Sequence, residues 1–432
     1  MSWRQKLLMP AAVLLLGACA AQPRREVPQQ LLPMPQPIHA LDRTEVAQPP
    51  PSDLWSQMRR GFAFARCDDD LVQHWASRYT RRPAVFERQV TRALPRLRYV
   101  ADIILEAGLP AEFALLPWVE SNFRPLPAHG KGAAGLWQIM PGTGRELGLR
   151  IDRHFDGRLH LDQSSRAVAR MLWRDWKLLD DWRLADMAFN AGVYRVRRLA
   201  SDLTELDLDQ AIPALDVKPV TQDHLAKIQA LACIVSHPDQ HGVRLPDPAS
   251  GAHLTLRHLP EALELPVAAR LAGMKLDALR EYNHAIRDPD APVAILILPA
   301  RTVAAFDDRY ARLQQFQWQQ WQRVRLAKPT SVLALSHQDA QRAQALALVN
   351  DVSGASTLRA NSVLWLPVNL AAALPEDMRA SLSGVPRRYA VRRGDSLWSI
   401  ARRFHLGVGQ IRHWNSLRGD LLHLGQILIL EP

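Results

Sequence analysis

Hydrophobic positions follow a helical rhythm up to about residue 235 and a mixed one beyond about 246. Leu54, Met58 and Phe62, then Leu71 and Trp75, then Phe86 through Leu105 recur at helical spacing, with Ser52-Asp53 as a capping pair in front. Pro110 suits a first helical turn, and Phe113, Leu116 and Glu120 fall at i, i+3 and i+7. This spacing places Glu120 on the face that packs inward. A long helix is predicted through 164–179. After Pro246 the pattern changes to short apolar strands around helical hairpins, seen at 250–300, at 328–370 and most clearly at 387–431. The pattern predicts an α+β chain: a mainly helical domain followed by small βααβ modules.

Composition narrows this picture. With 432 residues and 47% hydrophobic, the chain can fill two or more packed domains. Its net charge of +11 comes mostly from Arg spread along the chain, with no nucleic-acid motif behind it. An anionic polymer or membrane surface is a sufficient partner, and nucleic acid is not expected. No His/Cys ligand cluster is present, so no metal and no cofactor are expected. Cys67 and Cys233 are compatible with a disulfide and equally with two buried free thiols.

The first residues read as an export signal. Arg4 and Lys6 precede an apolar run, Leu7 to Leu16, that is too short to span a bilayer. The run ends in Leu16-Gly17-Ala18-Cys19, which resembles a bacterial lipobox. The resemblance implies cleavage after residue 18 and lipid on Cys19. Ala20 is not the aspartate that retains lipoproteins in the inner membrane, so the implied site is the periplasm, with the protein anchored to the outer membrane. Residues 19–51, rich in Pro and Gln, read as a tether, and residues 52–109 as a helical N-terminal extension.

Residues 110–235 carry the candidate chemistry. Burial of a carboxylate on an apolar face favours its protonated form, and a protonated acid can deliver a proton to a glycosidic oxygen. After Glu120 come Ser121, Phe123, Pro125, Gly130, Gly132, Gly135, Leu136, Trp137, Gln138, Met140, Pro141 and Thr143; a second block reads Ala188-Phe189-Asn190-Ala191-Gly192. These two ordered blocks resemble the lytic transglycosylase domain related to goose-type lysozyme. The resemblance implies a lysozyme-like fold and an enzyme that cleaves the β-1,4 bond between N-acetylmuramic acid and N-acetylglucosamine without water, leaving 1,6-anhydro ends. Glu120 would serve first as acid and then as base, where an ordinary glycosidase needs a second carboxylate. Ser121, Gln138 and Met140 would line the groove, Asn190 would bind the acetamido group or hold Glu120, and Gly135 would allow close backbone approach. Trp137 reads as core. Where the family has serine, tyrosine and tyrosine, this chain has His129, Phe189 and His224. All three are kept as substrate-site positions. His160 replaces an acidic residue and reads as a changed surface contact.

The segment 387–431 resembles LysM, a βααβ module that binds N-acetylglucosamine-containing chains. Gly394, Asp395, Ser396, Leu397 and Asn415 are its expected glycan contacts. The two earlier stretches, 250–300 and 328–370, are weaker echoes that lack the Gly-Asp-Ser-Leu turn, and Trp318 and Trp321 read as contacts between modules on a polar helical stretch. The leading expectation is therefore a lipid-anchored peptidoglycan lytic transglycosylase in cell-wall remodelling. Its alternatives are a catalytically weakened peptidoglycan-binding scaffold and a goose-type hydrolase.

Overall fold

The computed structural model describes residues 53–127, 132–201, 211–318, 320–380, 388–404, 407–415, 417 and 419–430. The expected signal segment, Cys19, the tether and His129 lie outside the described residues. Among those described, no helix is long and apolar enough to cross a membrane.

A helical body comes first. Asp53 caps α1 (Leu54–Gly61) where the capping pair predicts it, and Asp69 caps α2 (Asp70–Thr80). Pro83 opens α3 (Pro83–Glu106), at a position where its missing N–H leaves no bond unmade. The stripe Phe86, Val90, Leu94, Leu97, Ala101 and Ile104 faces inward. There follow α4 (Leu116–Ser121), α5 (Pro141–Glu146), α6 (Leu161–Leu179), α7 (Trp182–Ala191), α8 (Val193–Ala200) and α9 (Pro219–Ser236).

The sequence pattern divides this body at 109/110, but one continuous core runs from Leu54 to Val243. Helix α3 packs most extensively on α6 and on the turn at 111–115, so extension and catalytic region fold as one. Glu112 fastens the join: its buried Oε1 accepts the amides of Ala63 (2.8 Å), Phe64 (2.7 Å) and Ala65 (3.0 Å). Cys67 is disulfide-bonded to Cys233 of α9, which settles the open question about these cysteines. His160 departs from expectation. It is buried and caps α6, with Nδ1 accepting from the Gln163 amide, and burial pushes its imidazole down to about 4, so the ring is neutral.

Three βααβ units follow among the described residues. The first is β1 (Leu254–Glu264), α10 (Leu265–Leu271), α11 (Leu276–Arg280) and β2 (Pro292–Pro299), with β1 and β2 antiparallel. After α12 (Ala300–Gln314), the second runs from β3 (Trp321–Leu326) through α13 (Val332–Leu335) and α14 (Ala340–Asn350) to β6 (Val363–Pro367). It also holds the short ladder β4 (Thr330–Ser331) with β5 (Thr357–Leu358), and β7 (Arg379–Ala380) on the free edge of β3. Trp321 therefore opens a strand paired with Pro367 and does not lie on a helix. The pairing overrides a segment whose polar residues hide its alternation. Trp318 and Trp321 are both buried in a core that the first two units share. After α15 (Val368–Ala373), the third unit is β8 (Arg388–Ala390), α16 (Leu397–Phe404), α17 (Val408–Trp414) and β9 (Ile427–Ile429), around a small core of its own.

One device recurs in all three. An asparagine at or just after the end of the second helix clamps the closing strand: Asn283 to Ile297 (2.8 and 2.9 Å), Asn350 to Trp365 (2.9 and 2.7 Å), Asn415 to Ile429 (2.6 and 2.6 Å). Each Nδ2 also donates to the carbonyl four residues earlier. Leaving buried backbone groups unpaired costs roughly 1–3 kcal/mol. Asn415→Ala is expected to destabilise the third unit by about that amount, read as faster hydrogen exchange of the Ile429 amide in the full chain. Unchanged exchange would show that the clamp contributes nothing.

Candidate functional site

Glu120 sits near the end of α4, a helix only six residues long. Pro117 stands in its first turn, and it stops at two consecutive left-handed residues, Asn122 and Phe123, both at φ 54°. Such residues cost roughly 1–3 kcal/mol each. Burial of Phe123 edge-on to Trp118, centroids 6.4 Å apart, offsets that cost. The reversal ends the helix directly behind Glu120 and turns the chain back toward a hairpin at 134–139.

On its other side Glu120 meets α9. Its Oε1 lies 2.9 Å from His224 Nε2, and His224 Nδ1 lies 3.0 Å from Asp186 Oδ2 on α7. Phe189, one turn along from Asp186, stacks on the imidazole with centroids 6.2 Å apart and planes at 18°. Burial of His224 pushes its basicity down, but the carboxylates of Asp186 and Glu120 more than reverse this and push the imidazole up to about 10. With a carboxylate oxygen opposite each ring nitrogen, the protonated ring donates at both ends. Asp186 is fully buried, and its second oxygen, Oδ1, has no partner.

The hairpin forms the facing wall. Ala134 and Ile139 exchange both backbone bonds (3.1 and 3.0 Å), and Gln138, at φ 45°, donates from Nε2 to the Gly135 carbonyl at 2.7 Å. Gly135 has φ 85°, and a Cβ there would meet the Arg158 carbonyl oxygen at 1.9 Å. The close approach anticipated for this glycine is thus to the protein itself. Arg158 braces the hairpin from beneath, bonding the carbonyls of Gly132 and Ile139 while paired at 2.9 Å with buried Asp156.

The other expected site residues divide in two. Met140 (52% exposed) and Gln138, half-buried, reach the surface of the hairpin, and Asn190 is exposed with Oδ1 accepting from Thr221 Oγ1 at 2.8 Å. Asn190 therefore sits beside the Glu120–His224 pair, and it is His224 that holds Glu120. Ser121 turns inward: its hydroxyl donates to the carbonyls of Pro117 (3.1 Å) and Leu136 (2.8 Å), so it ties α4 to the hairpin in place of a groove contact. Trp137 is core, as expected, with Nε1 donating to Ser165.

The third βααβ unit needs corrections too. Asp395 is internal, accepting from Tyr389 Oη (2.6 Å) and the Arg392 amide (2.7 Å) and pairing with Arg403 (3.3 Å); Leu397 is core, and Asn415 is committed to its clamp. They lack free polar groups or exposed surface because they build the turn that a ligand would use. Gly394 and Ser396 stay exposed on one loop, with Leu421 and Leu424 exposed on the other.

Asp186 was missed. Its signal was present in Leu184-Ala185-Asp186-Met187-Ala188, a lone acid among buried apolar positions.

Comparison with known proteins adds independent findings. Residues 106–207 match the Transglycosylase SLT domain and residues 389–431 the LysM domain. The chain is 28% identical over 390 residues to membrane-bound lytic murein transglycosylase D of Escherichia coli, covering 90% of this chain and 74% of that protein. It is 40% identical over 43 residues to the probable peptidoglycan endopeptidase LytE of Bacillus subtilis, 10% of this chain and 13% of that one. A solved structure of the lytic transglycosylase Slt from Pseudomonas aeruginosa aligns over 35% of this chain and 25% of its own, at 23% identity and TM-score 0.28.

His224 gives a pH signature. Its folded-state basicity lies above the ordinary imidazole value of 6.5, so its contribution to stability is complete below about 6.5 and is lost as pH rises toward about 10. Denaturation midpoints of the native protein are expected to fall across that window. Asp186→Asn is expected to shift the fall to lower pH and to reduce kcat about 100-fold through a misplaced Glu120. A variant with unaltered pH dependence would remove Asp186 from this role.

Proposed function

We propose that this chain, whose residues 106–207 match the Transglycosylase SLT domain and 389–431 the LysM domain, is a lytic transglycosylase of peptidoglycan metabolism. On that premise we propose that it cuts the N-acetylmuramic acid to N-acetylglucosamine bond and closes a 1,6-anhydro ring, with Glu120 exchanging protons with the substrate in both steps. The observation that carries this reading is the Glu120–His224–Asp186 line. His224 bridges the two acids, and its Nε2 lies 2.9 Å from Glu120 Oε1, close enough for the proton on Nε2 to pass to Glu120. In the acid step that proton leaves through Glu120 to the glycosidic oxygen as the C1–O bond breaks, and the substrate's acetamido group stabilises the developing cation. Glu120, now a carboxylate, accepts the C6 hydroxyl proton as the C6 oxygen bonds to C1, and the pair is reset. His224 thus takes the orienting place of the family's tyrosine and also stores the proton. Gln138 and Met140 line the groove in this reading, and Asn190 presents its amide to the acetamido group.

Delivery to the wall is a separate matter from chemistry. We assign the third unit to glycan binding through the loops bearing Gly394, Ser396, Leu421 and Leu424, and the first two units to the same structural plan. The paired Cys67 and Cys233 suit an oxidising compartment. With the lipobox-like Leu16-Gly17-Ala18-Cys19 they support a periplasmic protein held to the outer membrane by lipid on Cys19.

Glu120→Gln is expected to abolish cleavage of purified sacculi while preserving fold and sacculus binding. Mass spectrometry of the wild-type products should show anhydro-ended muropeptides. Reducing-ended products would instead indicate a hydrolase, and an absence of products a binding scaffold.

Deleting residues from about 386 onward should weaken sacculus binding yet spare turnover of short soluble glycans, because a tethered second site raises effective concentration only on substrates long enough to reach both. A large loss of short-glycan turnover would show that the unit supports the catalytic fold.

A further inference from the structure

Beside the acid lies a second concave feature. A groove of about 400 Å³ is bounded by the end of α2, the α2–α3 turn, the end of α4 and α9. The size suits a ligand segment. It starts at Val119 and Asn122, the residues flanking Glu120 and Ser121, and includes Lys227, one helical turn beyond His224 on α9.

Its chemistry is one-sided. Arg78, Arg81, Arg82 and Lys227 line it, and none of its twelve lining residues is acidic. Among the described residues, no carboxylate lies within ion-pair reach of these four cations. Two of them are held in place from below: Lys227 Nζ stands 4.3 Å and Arg78 Cζ 4.8 Å from the centroid of Trp75, whose Nε1–H is fixed on Asp223. Asn122 adds a buried Oδ1 without a hydrogen-bond partner, an acceptor that suits a peptide N–H and not the carboxylate itself. Exposed arginines are usually just solvated. Four cations around one open groove, two docked on the same indole and none paired, form an anion site next to the reaction centre.

Glycan hydroxyls and acetamido groups are neutral and need no such site. Where a peptide is attached to the sugar's lactyl group, that carboxyl is an amide, so the anionic groups of the strand are the carboxylates of its peptide arm. We propose that this groove binds the carboxylate-bearing stem peptide of the strand whose sugar occupies the Glu120 site, and so sets preference for peptide-substituted glycan. This rests on the peptidoglycan reading above.

The full-length protein is assayed on stem-bearing glycan strands and on the same strands after carbodiimide amidation of the peptide carboxylates. The native enzyme should show a KM about tenfold or more lower on the anionic strands, the effect of losing one or more charge-assisted bonds. The double variant Arg81→Ala, Arg82→Ala should raise KM on anionic strands toward the amidated value and leave kcat and the amidated KM unchanged. Lys227→Met, which keeps an apolar stem on Trp75, should act in the same direction. The double variant Arg301→Ala, Arg359→Ala, outside the helical body, controls for the loss of two charges, and melting temperatures report any loss of fold. Equal KM values for the two strands, or a variant that impairs both equally, would overturn the groove assignment. A native enzyme that cleaves neither strand would overturn the functional reading itself.

Discussion

A buried imidazole with a carboxylate at each nitrogen is the constraint on which the catalytic body depends. Moving two anions and a cation out of water is costly unless all are in near-ideal contact, so α4, α7 and α9 must be fixed relative to one another to within a fraction of an ångström. The fastenings found around them do this. The Cys67–Cys233 disulfide holds α9 from one end, Trp75 of α2 holds it through Asp223, and Glu112 gathers the amides of residues 63–65 just ahead of α4. The segment that reads as an N-terminal extension is therefore part of what positions Glu120.

The hairpin wall is fixed by a second buried ion pair, with a different consequence. Arg158 and Asp156 are both buried, and Arg287 of the first βααβ unit bonds the same carboxylate. The Asp156 amide also donates to the Ala285 carbonyl at 2.9 Å. The wall carrying Gln138 is thus braced from a neighbouring unit as well as from its own domain. Breaking one member of a buried charge cluster strands the others, so the first unit contributes to the geometry of the groove even without touching glycan.

What was legible in the sequence was whatever local pattern encodes. Glu120 stood out because a charged residue on a helical apolar face is conspicuous, and Trp137 read as core because its neighbours are apolar. Asp186 carries the same signature, but no motif nearby gave it a partner. The imidazole joining the two acids lies 38 residues away along the chain, in a different helix. Ser121, Asp395, Leu397 and Asn415 show the opposite limit. A motif marks residues that a site requires, and cannot separate those that touch a ligand from those that shape the backbone around it. The assignment of β3 failed for a third reason, since Trp321–Leu326 becomes a strand only through pairing with β6.

The three βααβ units show how one plan tolerates different sequences. The asparagine clamp is common to all, because closing the second strand against the second helix needs the same two backbone bonds each time. The Gly-Asp-Ser-Leu turn belongs to the third alone. There Asp395 ties Tyr389, the Arg392 amide and Arg403 together, and Ser396 and Ser399 cap α16 reciprocally. The first two units bury their helices in a shared core, from Leu259 to Leu374, which supplies by apolar burial what the turn supplies by polar bonds. The third has only a small core around Val391, Leu397, Ile400, Ile411 and Leu428. A unit that small gains too little from burial to hold its loops, so its turn must be fastened locally, and a fastened turn with an exposed rim is also what a shallow glycan site requires.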